Sequence, residues 1–147
     1  MTASIVGTAY LALPSEFYMA GIPTVRTPFH AFTATIIGLW AGLLIGYVTE
    51  YYTSHSYSPV REVAESCKTG AATNIIYGLA LGYHSCVIPV IAICIAAYVS
   101  HTVLGFYGVA LAALGMLSNL PIGLTIDGYG PISDNAGGIA EMCGLPH

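Results

Sequence analysis

Residues 69–126 read TGAATNIIYGLALGYHSCVIPVIAICIAAYVSHTVLGFYGVALAALGMLSNLPIGLTI, and the run holds no Asp, Glu, Lys or Arg. One helix crosses a bilayer in about 20 residues. The run is too long for one crossing and suits two joined by a short turn. A second uncharged stretch, residues 27–49, has an apolar heart from Ala31 to Val48 that suits one more. The whole chain of 147 residues is 7% charged and 56% hydrophobic, with a mean hydropathy of +0.75. A soluble domain carries about 25% charged residues. So few charges cannot cover a water-facing surface, which excludes an ordinary soluble enzyme and a disordered chain. A nucleic-acid binder needs a basic surface, and the chain has only three Lys and Arg and a net charge of −4. The composition predicts an all-α integral membrane protein, a multi-span helical bundle.

The chain divides accordingly. Residues 1–13 read as a partial helix, because the apolar stretch Ile5 to Leu13 is too short to cross and no Lys or Arg precedes it as a signal peptide requires. Pro14, Gly21, Pro23 and Pro28 break the chain next. Spans are expected at 29–52, 74–99 and 104–135, with a loop at 53–73 and a truncated loop at 136–147. Gly38, Gly42 and Gly46 recur every four residues in the first span, giving one face that another helix can approach closely. Pro89 is expected to kink the second. Arg61 and Lys68, two of the three basic residues, place the 53–73 loop on the cytoplasmic side. Within it, Ser58-Pro59 opens a short helix. Tyr47, Tyr51, Tyr52 and Tyr57 gather where the first span leaves the bilayer, as an interfacial belt does. Alternating the spans puts the end of the third on the cytoplasmic side as well.

Cys67, Cys86, Cys94 and Cys143 form no CxxC pair, and His30, His55, His84, His101 and His147 show no zinc spacing. The chemistry gathers instead in residues 125–142, TIDGYGPISDNAGGIAEM. Asp127, Asp134 and Glu141 are spaced by sevens, so on a helix they share a face, each about 10 Å from the next. Such a column repels itself unless cations neutralise it. Hard oxygen donors suit Mg²⁺, which often bridges to phosphate, and a proton path is the other use of intramembrane carboxylates. A helix end meeting water accounts for the same residues without chemistry. Gly128, Gly130, Pro131, Gly137 and Gly138 predict an irregular helix here, with Glu141 already in a loop.

Residues 125–142 resemble the signature segment of membrane-bound, ion-pumping inorganic pyrophosphatases. GLWAGLLIGYVTEYYTS at 38–54 and CKTGAATNIIYGLALGY at 67–83 resemble the same family in the same order. The likeness covers roughly residues 38–145, and the wording of the second motif is closer to the vacuolar members of plants and protists. The resemblance implies a sixteen-helix pump with two concentric rings, assembled as a homodimer, of which this partial chain supplies about three helices. It implies hydrolysis of pyrophosphate to phosphate coupled to H⁺ translocation across a vacuolar or other acidic-compartment membrane, with Mg²⁺ as cofactor and K⁺ as an activator of some members. On that likeness Asp134 is a catalytic, Mg²⁺-holding residue. Asp127 lies deeper, near the substrate and the ion path, as a further metal ligand, and Asn135 supports the ligands from behind.

The expected partners are pyrophosphate, membrane lipid, the remainder of the pump and a second copy, and no nucleic acid. The family's substrate-holding Asp-x7-Lys-x-Glu segment is not found, so the isolated chain is expected to be inactive. The segment that sets potassium dependence would lie beyond residue 147, and H⁺ is not distinguished from Na⁺. A small non-enzymatic membrane protein with an acidic cation path is the rival reading.

Overall fold

The computed structural model describes residues 1–19 and 21–144. Helix α1 (Thr2–Ala12) leads into a short antiparallel hairpin, β1 (Phe17–Met19) and β2 (Ile22–Arg26), with Phe17 opposite Arg26. Helix α2 (Pro28–Thr53) follows, then α3 (Ser58–Ser66), a single tight turn at Cys67–Thr69, α4 (Ala71–Leu117) and α5 (Leu120–Met142). The chain is helical as expected, with one addition, the hairpin. Its strands are too short to show an alternating pattern, and its Pro and Gly residues read only as breaks. Gly21 has a positive φ of 84°, a conformation that glycine reaches without steric cost.

Two helical segments, Pro28–Thr69 and Ala71–Met142, are long and apolar enough to cross a membrane, with window hydropathies of 1.8 and 2.2. α2 starts where Thr27 is extended and Pro28 occupies the first turn, with the Thr27 N–H donating to His30 Nδ1 at 3.3 Å. It is about 39 Å long at 1.5 Å per residue, enough to cross the hydrocarbon layer and reach the headgroups on both sides.

α4 is two helices joined by a reversal. Leu104 (φ −139°, ψ 19°) and Gly105 (φ 60°, ψ −148°) are non-helical. A Cβ on Gly108 would collide with the Ser100 carbonyl, eight residues back. In an unbroken helix those residues lie about 12 Å apart, so the chain has doubled back. Pro89 lies inside the first half, and non-helical dihedrals occur only at Leu104 and Gly105.

Small residues set how the helices pack. Ala92 and Ala96 of the first half are buried, and with Ile37, Trp40, Ala41 and Leu44 of α2 they line a shallow groove. The second half turns and runs along the same helix. A Cβ on Gly38 would strike the Ala112 backbone, and one on Gly115 would strike the Thr35 carbonyl. Gly42 faces Met116 Cα and the Asn119 side chain at 3.2 and 3.0 Å from its would-be Cβ. Backbones this close exclude any side chain, which is what small residues supply where lipid offers no hydrophobic force between helices. Gly46, the third residue of the stripe, meets nothing within 4 Å. The core proper is Ala31, Ala34 and Leu104, closed over by Leu13, Phe17 and Met19 from the N-terminal segment.

At the other end, the loop after α2 is folded rather than open. α3 is amphipathic, and Asn74 Nδ2 ties it down by donating to the Val63 carbonyl at 3.0 Å. Arg61 donates to the carbonyls of His55 and Ser56, both at 2.9 Å, so its guanidinium is engaged in holding this loop.

Candidate functional site on the acidic helix

The second half of α4 does not run unbroken into α5. Ser118 and Asn119 keep right-handed dihedrals (φ −64°, ψ −16° and φ −83°, ψ −12°), and Asn119 N donates to the Met116 carbonyl at 3.3 Å. This is a tightened turn of three-residue spacing, not a reversal. Asn119 Nδ2 donates to the Leu39 carbonyl at 3.2 Å, pinning the junction to α2. Sequence reading passed over Asn119, since one amide at a helix junction carries no pattern.

α5 is regular through the segment expected to be irregular. It extends to Met142, so Glu141 is helical and the loop expected at 136–147 starts later. The last three residues of that loop, His147 among them, lie outside the described residues. Pro131 sits inside the helix without ending it. Proline forfeits one backbone bond: it has no N–H for the Asp127 carbonyl, the acceptor four residues back. That carbonyl is left as a further oxygen donor beside the Asp127 side chain. The Asp-x-x-x-Pro spacing signals this once the segment is known to be helical.

With the helix regular, Asp127, Asp134 and Glu141 form one column with a drift of only about 20° per seven residues. All three are exposed, as is Asn135. Asn135 Nδ2 donates to the Pro131 carbonyl at 2.6 Å, so the amide is turned onto its own helix. The column does not close into a centre. Among the described residues no three His, Cys, Asp or Glu side chains stand close enough to hold a metal ion. Each carboxylate offers hard oxygen to a cation, but the remaining donors must come from elsewhere. No residue of α5 is buried, and a Cβ on any of Gly123, Gly128, Gly130, Gly137 or Gly138 would meet nothing within 4 Å.

Along α5 itself, Asp127 lies about 10 Å and Asp134 about 21 Å of helical rise from Leu120.

Fold and site together define a helical membrane protein carrying an exposed column of carboxylates on its last helix. Comparison with known proteins makes the class specific. The model of the inorganic H⁺ pyrophosphatase family matches residues 1–147, and the chain belongs to that family. The match includes residues 1–37, where the sequence alone resembled the family only in hydropathy and in the turn from Ala12 to Ser15.

Named relatives are pumps. A putative K⁺-stimulated pyrophosphate-energized sodium pump of Clostridium tetani is 49% identical over 125 residues, covering 80% of this chain and 19% of that protein. A K⁺-insensitive pyrophosphate-energized proton pump of Methanosarcina mazei is 41% identical over 148 residues, covering 95% and 22%. A K⁺-stimulated pyrophosphate-energized sodium pump of Thermotoga maritima is 39% identical over 150 residues, covering 98% and 21%. The chain thus spans about a fifth of the length of the curated relatives it matches.

Proposed function

We propose that this chain contributes a membrane segment to a pyrophosphate-energized ion pump, in which α5 brings Asp134 and Asp127 to a Mg²⁺–pyrophosphate site at the cytoplasmic face. The observation that supports the reading is the continuous helix α5, which aligns two exposed carboxylates that have no ion pair among the described residues. Asp134 would hold a Mg²⁺ of the substrate complex. Asp127, with its freed main-chain carbonyl, would hold a second or stand at the entrance of the ion path. Bound Mg²⁺ supplies neutralisation of phosphate charge. The protein's own part is to hold the carboxylates at fixed height on a rigid helix and to leave the rest of the coordination to other helices.

The spans would be 29–52, 74–99 and 104–135, with Arg61, Lys68 and Asp134 on one side. The second half of α4 running along α2 toward that end supports this. The complete pump would have sixteen helices in two rings and act as a homodimer. The Cys67–Asn74 wording favours a vacuolar or other acidic-compartment membrane and H⁺ as the pumped ion. K⁺ would act as an activator only if the complete protein carries the potassium-dependent form of the downstream segment.

The reading is tested by replacing the matching segment of a homologous full-length pump with residues 1–147 and assaying membranes. An assembled chimera that hydrolyses pyrophosphate and acidifies or loads vesicles is expected. An assembled chimera, dimeric on a sizing column and without either activity, would contradict it.

A further inference from the structure

A cavity of about 380 Å³ opens beneath the hairpin, at the end of the bundle where α2 begins. Met19 of β1 and Arg26 of β2 line one side. His101, Thr102, Gly105 and Phe106, from the reversal inside α4, line the other. Arg26 is one of only three basic residues in the chain. Its Nε is shut off from solvent and has no hydrogen-bond partner among the described residues. The ion pair found among the described residues, Lys68 with Glu65, lies at the opposite end. Glu16 is the single acidic residue before Arg26, and none stands between Lys68 and Asp127. No acidic side chain lines the cavity.

A shielded guanidinium donor without an acceptor is costly, and an entering anion removes that cost. The surroundings favour one. His101, which lines the cavity, is set edge-on against Phe106 with ring centroids 5.1 Å apart. Gly105 and Phe106 open the second helical stretch of α4, so the positive end of its dipole faces the same space. The rigid fork of an arginine matches phosphate oxygens in pairs. α2 separates Arg26 from Thr53 by about 39 Å, so across a bilayer spanned by α2 Arg26 stands at headgroup depth at the end opposite Thr53.

We propose that this cavity is a binding site for a phosphate group, held by Arg26 with His101 beside it. The phosphate has two sources, a phospholipid headgroup or free inorganic phosphate. Neither requires α5, so the proposal stands or falls apart from the pump reading.

The test uses the purified chain in a maltoside detergent. Short-chain phosphatidylglycerol, diacylglycerol of the same chain length, and inorganic phosphate are titrated separately, and the His101 imidazole resonances and native mass spectra are followed. A saturable one-to-one response at His101 to the phospholipid assigns a headgroup, and one to inorganic phosphate assigns a free anion. Either supports the site. Arg26→Gln should weaken it about tenfold or more, the scale of one charge-assisted hydrogen bond. Arg61→Gln, at the other end, should leave it unchanged. If Arg26→Gln does not fold, the wild-type titration and Arg26→Lys decide. No saturable response to either phosphate source, equal binding of diacylglycerol, or an undiminished response in a folded Arg26→Gln protein would overturn the proposal.

Discussion

α2 and α5 are both glycine-rich helices, yet their glycines serve opposite ends. In α2, Gly38 and Gly42 lie against the backbone of α4, and no side chain fits between. In α5, five glycines face open space, and every carboxylate of the column is exposed. One region uses small residues to fix a fold within this chain. The other holds carboxylates that nothing among the described residues gathers into a centre. Stability and chemistry are therefore separable here, and the same substitution should have opposite signs in the two regions.

The largest effect is expected at Gly38. Gly38→Ala forces a methyl group into the Ala112 backbone and should cost about 2–3 kcal/mol, the upper range for overpacking. Denaturant-induced unfolding of the chain in detergent micelles measures it, and a change below 0.5 kcal/mol would break the contrast. Asn119→Ala removes the amide that reaches the Leu39 carbonyl and should cost about 1 kcal/mol. The same assay reads it. In a full-length pump the substitution should also disturb hydrolysis, because it frees the junction that aims α5.

Gly128→Ala and Gly137→Ala should each stabilise the isolated chain by roughly 0.5–1 kcal/mol, since both sit in an exposed helix interior with room for a methyl. In the intact pump the sign sharpens the comparison. A loss of stability there would show that a neighbouring helix packs against that glycine. The smallest effect is at Ser100, which is fully buried and whose hydroxyl has no partner among the described residues. Ser100→Ala removes an unpaired polar atom and should be neutral or stabilising by a few tenths of a kcal/mol. A cost above 1 kcal/mol in the same unfolding assay would mean that the hydroxyl is bonded.

Much of the fold was legible because hydropathy is a long-range signal. The absence of charge from Thr69 to Ile126 is enough to demand a reversal, and the structure puts it at Leu104–Gly105. The Gly38/Gly42 spacing likewise marks the face that α4 meets, though the stripe stops short of Gly46. Short-range features were less legible. The hairpin at Phe17–Arg26 rests on eight or so residues whose Pro and Gly look like any loop. The Gly–Pro content of α5 pointed to irregularity, whereas a single proline costs one carbonyl its partner and leaves the helix intact. The column of carboxylates was visible from spacing alone. That it stays open within this chain was not, because the missing donors depend on tertiary neighbours.

On the proposed function, α5 contributes the charge of Asp134 rather than its place in the fold. Asp134→Asn in the full-length chimera keeps size and hydrogen-bonding capacity while removing the negative charge. Pyrophosphate hydrolysis at ordinary Mg²⁺, measured on membranes with equal amounts of assembled pump, should fall by about two orders of magnitude or more, the scale of losing a charge contact to the transition state. Glu141→Gln should do far less. An assembled Asp134→Asn pump that hydrolyses pyrophosphate at the parental rate would contradict the claim and leave Asp134 as a polar residue at a helix end.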